Sequence, residues 1–182
     1  YIKNKLGKEF INRGPYVKAI YDSLNFELTN AQIKVLREIR NDLKSNHPMN
    51  RLIQGDVGSG KTIVAMLAAS IVIGNDCQVA VMAPTEILAE QHYISFLEYC
   101  NKVNINCEIL VGAHTIKEKN AIKENLANGT IQLIVGTHAL IQDNVEFNNL
   151  GMIIIDEQHR FGVEHRKMLI EKGYNPEILA MT

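Results

Sequence analysis

Short apolar runs alternate with helical stretches along most of the chain, and this alternation limits the possible folds more than any other feature. Each run has four to six residues rich in Val, Ile and Leu, as strands buried on both faces require. We place strands at 51–54, 78–83, 107–111, 131–135, 152–155 and 178–181, and helices at 30–43, 61–73, 86–100, 116–126 and 164–171. The sequence therefore predicts an α/β domain with a mostly parallel sheet and helices on both faces.

Turn and capping residues mark several of the predicted boundaries. Gly74 and Gly129 follow predicted helices, where a residue in the left-handed conformation is common. Thr115 and Glu118 have the spacing of a capping box, which begins a helix. Ligands of parallel α/β sheets collect at the carboxyl ends of the strands, so functional residues are expected directly after the apolar runs.

A glycine-rich segment between the first strand and the following helix matches the pattern G-x-x-x-x-G-K-[ST]. Its glycines let backbone N–H groups point at phosphate oxygens, and the helix adds its positive dipole end. This context predicts a site for a nucleoside triphosphate, ATP with Mg²⁺, with Lys61 at the β- and γ-phosphates and Thr62 as a Mg²⁺ ligand. The predicted phosphate-binding loop consists of Gly55, Asp56, Val57, Gly58, Ser59, Gly60, Lys61 and Thr62.

Two carboxylates follow the apolar run at 152–155. Asp156 is predicted to hold Mg²⁺, and Glu157 is predicted to polarise the water that attacks the γ-phosphate. A carboxylate after a strand often only caps a helix, but its combination with a phosphate-binding loop favours a hydrolysis site. Lys61, Asp156 and Glu157 are therefore the predicted catalytic residues.

Composition narrows the class of protein. The chain has 182 residues, 46% hydrophobic and 21% charged, which suits one globular domain. We see no signal peptide and no apolar run near the roughly 18 residues that cross a membrane. Cys77, Cys100 and Cys107 lack metal-site spacing, which favours reduced thiols in a cytoplasmic protein. The net charge is −1, so nucleic acid would bind at a local site and not through overall charge.

Several segments resemble the motifs of superfamily 2 helicases. Asp156-Glu157-Gln158-His159 is similar to motif II, Ala83-Pro84-Thr85-Glu86 to motif Ia, and Gly136-Thr137-His138 to motif Ib. The segment from Phe26 to Gln32 resembles the adenine-reading Q motif. The resemblance covers about residues 26–182. It implies a RecA-like P-loop NTPase domain, the first motor domain of an ATP-dependent DNA translocase.

The resemblance implies roles for the matching residues. Gln32 would hydrogen-bond the adenine edge and Phe26 would stack near the base, although Thr29 and Gln32 also have capping-box spacing. DNA phosphates would be contacted without sequence readout by Pro84, Thr85, Gly136, Thr137 and His138.

Ordinary helix capping is the alternative for Thr85 and Thr137. His159 and Arg160 would couple the nucleotide site to the DNA side. The alternative for His159 is a residue packed beside the sheet, and for Arg160 a phosphate contact and helix capping are equal alternatives.

The longer strings are most similar to a bacterial group that acts on branched DNA, such as stalled forks and junctions, in recombination and repair. The transcription-repair coupling translocases are the nearest alternative, and a nucleotide-gated DNA-binding module without turnover is an alternative of another class.

The resemblance also implies further domains. ATP would lie between two RecA-like domains, the second of which supplies arginine fingers. We interpret residues 1–23 as a linker with a short helix from a preceding wedge domain, and 24–182 as the first motor domain. The isolated chain is therefore expected to bind ATP weakly and to hydrolyse it little.

Overall fold

The computed structural model of the protein describes residues 14–45, 47–54, 60–156, 163–173 and 176–181. Its strands are β1 Asn50–Ile53, β2 Gln78–Met82, β3 Cys107–Leu110, β4 Leu133–Gly136, β5 Leu150–Asp156 and β6 Glu177–Met181. They form one sheet in the order β1-β6-β5-β2-β4-β3, and all neighbouring pairs are parallel. The predicted parallel sheet is confirmed.

Helices cover both faces of this sheet, as the sequence predicts. They are α1 Tyr16–Ser23, α2 Asn30–Lys44, α3 Gly60–Ile73, α4 Glu86–Lys102, α5 Ile116–Ala127 and α6 Val163–Ile170, with a 3-10 turn at His138–Ile141. Side chains alternate along the central strands between two hydrophobic cores. Val81 and Ile154 pack in the core under α1 to α4, whereas Ala80 and Ile153 pack in the core under α5, α6 and the 3-10 turn. Within the described residues, no helix is long and apolar enough to cross a membrane.

The helix α3 is buried on all sides from Ile63 to Ile73. A helix that is apolar all round must be covered by other elements. Here the sheet covers one side, and α1, α2 and α4 pack against the others. This burial holds the start of α3 in a fixed place relative to the strand ends.

The predicted boundaries differ from the observed ones by no more than two residues. Gly129 is left-handed as predicted, with φ of 86°. The same prediction for Gly74 is wrong, because Asp76 takes the positive φ instead, at 63°. Gly74 is a glycine for another reason: a Cβ there would lie 2.9 Å from the Cα of Gly14. The chain before α1 therefore crosses the end of α3 at backbone contact.

The short helix predicted within residues 1–23 is α1, which packs against α3 and buries Ile20 completely. The capping box predicted at Thr115 and Glu118 is confirmed. The three cysteines are all buried. Burial and a hydrogen bond with Cys100 raise the pKa of the Cys107 thiol, with the hydrogen bond as the larger cause.

The short strand β1 is joined to α2 by Arg51. Its Nε donates to Asp42 at 2.7 Å, and its Nη1 donates to Glu38 at 3.1 Å. All three side chains are partly exposed, so each ion pair stabilises the contact by about 1 kcal/mol or less. The pairs still fix where α2 lies beside the strand that leads into the glycine-rich segment.

Glu177 is a buried acid at the start of β6. It is 1% exposed, it accepts the backbone N–H of Met49, and its Oε1 has no hydrogen-bond partner among the described residues. Burial raises its pKa to about 7; the bond from Met49 opposes this shift, and the nearby charge of Asp42 adds to it.

We expect the original chain to lose stability as pH rises, because the buried Glu177 ionises. We expect Glu177→Gln to abolish this loss. The folded pKa lies above the unfolded one, so stability is full below about pH 4.5 and falls as pH rises towards and through 7. Between pH 5 and pH 8 the free energy of unfolding should fall by about 2 kcal/mol more in the original chain than in the variant. Urea unfolding at several pH values measures this, with the exposed strand residue Glu108→Gln as control. Equal pH profiles for Glu177→Gln and the original chain would contradict it.

Candidate functional site

The carboxyl ends of the strands bring most of the described site residues to one edge of the sheet. Asp156 is the last residue of β5, which lies between β6 and β2. The strand β1, which precedes the predicted phosphate-binding loop, lies on the other side of β6. Because these strands are parallel, the carboxyl ends of β1 and β5 lie at the same edge of the sheet.

The start of α3 carries the last three residues of the predicted loop: Gly60, Lys61 and Thr62. Lys61 and Thr62 are half-buried in its first turn, where the backbone N–H groups of a helix start and the helix dipole favour an anion. The other predicted loop residues, Gly55, Asp56, Val57, Gly58 and Ser59, lie outside the described residues. The described part therefore supplies the helix end that a phosphate group would meet.

Gln32 joins the start of α2 to the start of α3. Its Oε1 accepts the N–H of Thr29 at 2.8 Å, the Thr29 hydroxyl accepts the N–H of Gln32 at 3.2 Å, and these bonds confirm the capping-box interpretation. Its Nε2 donates to the carbonyl oxygen of Gly60 at 3.2 Å. The amide of Gln32 thus lies directly beside the start of α3. Phe26, which precedes it, is 45% exposed, so its ring face is accessible.

The Asp156 carboxylate is almost buried and contacts a residue that the sequence did not single out. Its Oδ2 lies 2.7 Å from Nε2 of His92, which is on α4. The His92 ring also packs at a tilt against Phe96, with ring centroids 6.4 Å apart. The signal was weak, because His92 lies 64 positions from Asp156 and resembles any helical histidine. His92 lies seven residues after Thr85, which places both on the same face of the helix, and this spacing is the signal that could have indicated it.

The donor atoms at this edge suit Mg²⁺. A hydroxyl in the first turn of α3 and a carboxylate at the end of β5 are oxygen ligands of the kind that this cation takes together with phosphate oxygens and water. Thr62 and Asp156 would hold it, with Lys61 close by on α3.

The predicted DNA-contact residues follow two neighbouring strands. Met82 of β2 pairs with Gly136 of β4, and the N–H of Ala83 donates to the carbonyl oxygen of Gly136 at 2.9 Å. Pro84 and Thr85 therefore lie beside Thr137 and His138.

Exposure differs among these residues. Thr85 is exposed, but its hydroxyl accepts the N–H of Leu88 and caps α4. Thr137 is buried, whereas His138 is exposed. The predicted residues Glu157, His159 and Arg160 lie outside the described residues.

This sheet, with a phosphate-binding sequence after β1 and an acidic residue at the end of β5, defines the RecA-like class of P-loop NTPase domains. Comparison with family models narrows the class further. Residues 29–179 match the model described as DEAD/DEAH box helicase. The chain belongs to the DEAD/DEAH box helicase family.

Curated relatives are similar over most of the chain. The chain is 51% identical over 181 residues to the ATP-dependent DNA helicase RecG of Thermotoga maritima, covering 100% of the chain and 22% of that protein. It is 54% identical over 166 residues to the RecG of Streptococcus pneumoniae serotype 4, covering 91% of the chain and 24% of that protein. The chain thus spans about a quarter or less of the length of these relatives.

Solved structures agree on the fold. A structure of RecG bound to a three-way DNA junction matches 90% of the chain and 22% of its own length, with 51% identity and a TM-score of 0.80. The Mycobacterium smegmatis helicase Lhr, bound to single-stranded DNA and AMP-PNP, matches 74% of the chain and 19% of its own length, with a TM-score of 0.55. At 14% identity, this second likeness supports the fold alone.

Proposed function

We propose that the chain is the first motor domain of an ATP-dependent DNA helicase or translocase that acts on branched DNA, such as stalled forks and junctions, in recombination and repair. The RecG relatives and the RecG–junction structure support the substrate class. The observation that carries the proposal is the pairing of β2 with both β5 and β4. It brings the end of β5, with Asp156, next to the strand ends that carry Thr85 and His138.

ATP is the proposed nucleotide. Lys61 would neutralise charge on the β- and γ-phosphates, and the first turn of α3 would donate backbone N–H groups to them. Gln32 would read the adenine edge with the hydrogen-bonding capacity that remains after its bonds to Thr29 and Gly60, since an amide has two N–H groups and two lone pairs. Phe26 would stack beside the base.

Hydrolysis would require a water molecule and a metal ion at the end of β5. Glu157 would accept a proton from the attacking water, while Thr62 and Asp156 would hold Mg²⁺. Bound Mg²⁺ would neutralise charge on the phosphate oxygens.

The strand-end residues would hold one DNA strand by its phosphates. Backbone amides near Pro84 and Gly136, the exposed Thr85 and the exposed His138 suit contacts that do not read sequence, and the buried Thr137 would support the turn that carries His138. Such contacts fit the net charge of −1, because they need few lysines or arginines. His159 and Arg160 would connect this side to the nucleotide.

A second RecA-like domain would complete the motor. It would close over ATP and supply arginine side chains, which are worth about 10³- to 10⁵-fold in turnover in related enzymes. We therefore expect the 182-residue chain alone to hydrolyse ATP slowly, even with DNA.

The test is ATP turnover by the whole protein with forked, single-stranded and blunt duplex DNA side by side. We expect forked DNA to stimulate turnover most, and Glu157→Gln to abolish turnover while preserving ATP binding. Turnover that is the same with all three DNAs and without DNA would contradict the proposal. Full activity of Glu157→Gln would contradict the role of that residue.

A further inference from the structure

The His92–Asp156 contact joins two elements with different proposed tasks. Nε2 of His92 and Oδ2 of Asp156 lie 2.7 Å apart, and their side chains are 17% and 10% exposed. The carboxylate ends β5 and would hold Mg²⁺, whereas the imidazole is on α4, whose first turn follows the proposed DNA contact at Thr85. The catalytic residues proposed above do not include His92.

Carboxylates that hold a metal ion depend on neighbours that orient them. Such outer partners fix the rotamer of the ligand, and their removal usually costs 10- to 100-fold in metal affinity or activity. The His92 ring is itself held from behind by Phe96, which is fully buried. The ring therefore presents Nε2 to Asp156 from a fixed position.

The helix α4 connects Thr85 to His92 as one continuous element. Thr85 caps its start, the Glu86 carboxylate accepts the N–H of Gly112 at 2.8 Å, and Ala89 and Phe96 anchor it in the core. The seven residues between Thr85 and His92 correspond to about 10 Å of helix. A shift of the DNA-binding end of α4 would thus be transmitted to the His92 ring.

We infer that His92 is a positioning residue, which orients the Asp156 carboxylate for Mg²⁺-nucleotide and connects it to the DNA-contacting end of α4. This inference rests on the proposed function, since it assigns a second role to the same edge of the sheet. By linkage, Mg²⁺-nucleotide must change DNA affinity by the same factor by which DNA changes nucleotide affinity. The contact of His92 with Asp156 would account for part of this reciprocal change in affinity.

The first test measures the affinity of the whole protein for a non-hydrolysable ATP analogue, with Mg²⁺ and with EDTA. The ratio of the two affinities is the gain from Mg²⁺. We expect His92→Ala to lower this gain about 10-fold and to leave the affinity in EDTA unchanged. His92→Gln, which keeps an amide donor at a similar reach, should recover most of the gain.

The matched control is Gln91→Ala, an exposed neighbour on the same helix, which should behave like the unsubstituted protein. An unchanged gain in His92→Ala would overturn the inference. An equal loss with Mg²⁺ and with EDTA would also overturn it, because it would mean a purely structural role. A His92→Gln variant as poor as His92→Ala would refute the role of the donor.

The second test measures the affinity for forked DNA with and without the Mg²⁺-analogue. The ratio of these two DNA affinities should move towards one in His92→Ala and should stay unchanged in Gln91→Ala. If His92→Ala shows the same ratio as the unsubstituted protein, the connection through α4 is overturned. If Mg²⁺ does not raise the nucleotide affinity of the unsubstituted protein and the Mg²⁺-analogue does not change its DNA affinity, the proposed function itself fails. This outcome differs from a failure of the His92 inference alone, in which only the variants behave differently from expectation.

Discussion

Replacement of Lys61 by alanine is expected to lower ATP turnover by the whole protein by about 100- to 1000-fold. Lys61 is the second residue of α3, and burial of that helix on all sides prevents the start of α3 from shifting to compensate. The substitution removes a positive charge that would lie against the β- and γ-phosphates, where negative charge changes most during transfer. A preorganised group of this kind contributes more than a surface charge of the same sign.

The measurement is steady-state turnover with saturating forked DNA, together with a melting curve of each variant. Lys117→Ala is the matched control, because Lys117 is an exposed lysine in the first turn of α5. It should keep full turnover. Turnover of Lys61→Ala within a factor of about ten of the unsubstituted protein would contradict the proposed nucleotide site.

Gly151→Val is expected to destabilise the 182-residue chain by about 3 kcal/mol or more, because it would overpack the centre of the domain. A Cβ at position 151 would lie 2.6 Å from the Cβ of Cys77 and 3.0 Å from Cγ1 of Val72. Position 151 is the second residue of the buried strand β5, and the residues on either side of it, Leu150 and Met152, pair with β2, which limits movement of the backbone. Valine adds two further carbons to this space.

Urea unfolding of the chain measures the effect, and Gly112→Val is the control. A Cβ at position 112 would meet Oε1 of Glu86 at 2.9 Å, but this is the end of a flexible, exposed side chain that can turn away. We expect a loss below about 1 kcal/mol there. If Gly151→Val and Gly112→Val lower the free energy of unfolding by similar amounts, the close contacts at Gly151 do not exclude a larger side chain.

Most of the fold could be predicted because its signals are local. The apolar runs had to be buried on both faces, so they indicated the parallel strands, and Thr29 and Thr115 indicated helix starts through bonds that span three residues. The position of Asp156 at a strand end followed from the same pattern.

Contacts between distant parts of the chain could not be predicted in this way. The glycine at 74 is required by Gly14, which approaches from the chain before α1, and no local pattern distinguishes this from a left-handed helix end. The bond from Gln32 to Gly60 spans 28 positions, and the contact of His92 with Asp156 spans 64. Each depends on how helices pack against the sheet, which is settled only after the fold has formed.

The position of β1 has a consequence for local dynamics. Among the described strands, β1 is bordered by β6 alone, and it has only four residues. Its amide hydrogens should therefore exchange with solvent sooner than those of β5, which has neighbours on both sides. A bound nucleotide would connect the segment after β1 with the start of α3 and the end of β5, and would slow this exchange, because a ligand stabilises the conformation that it binds. Hydrogen exchange at β1 would thus respond to a ligand bound at the proposed site.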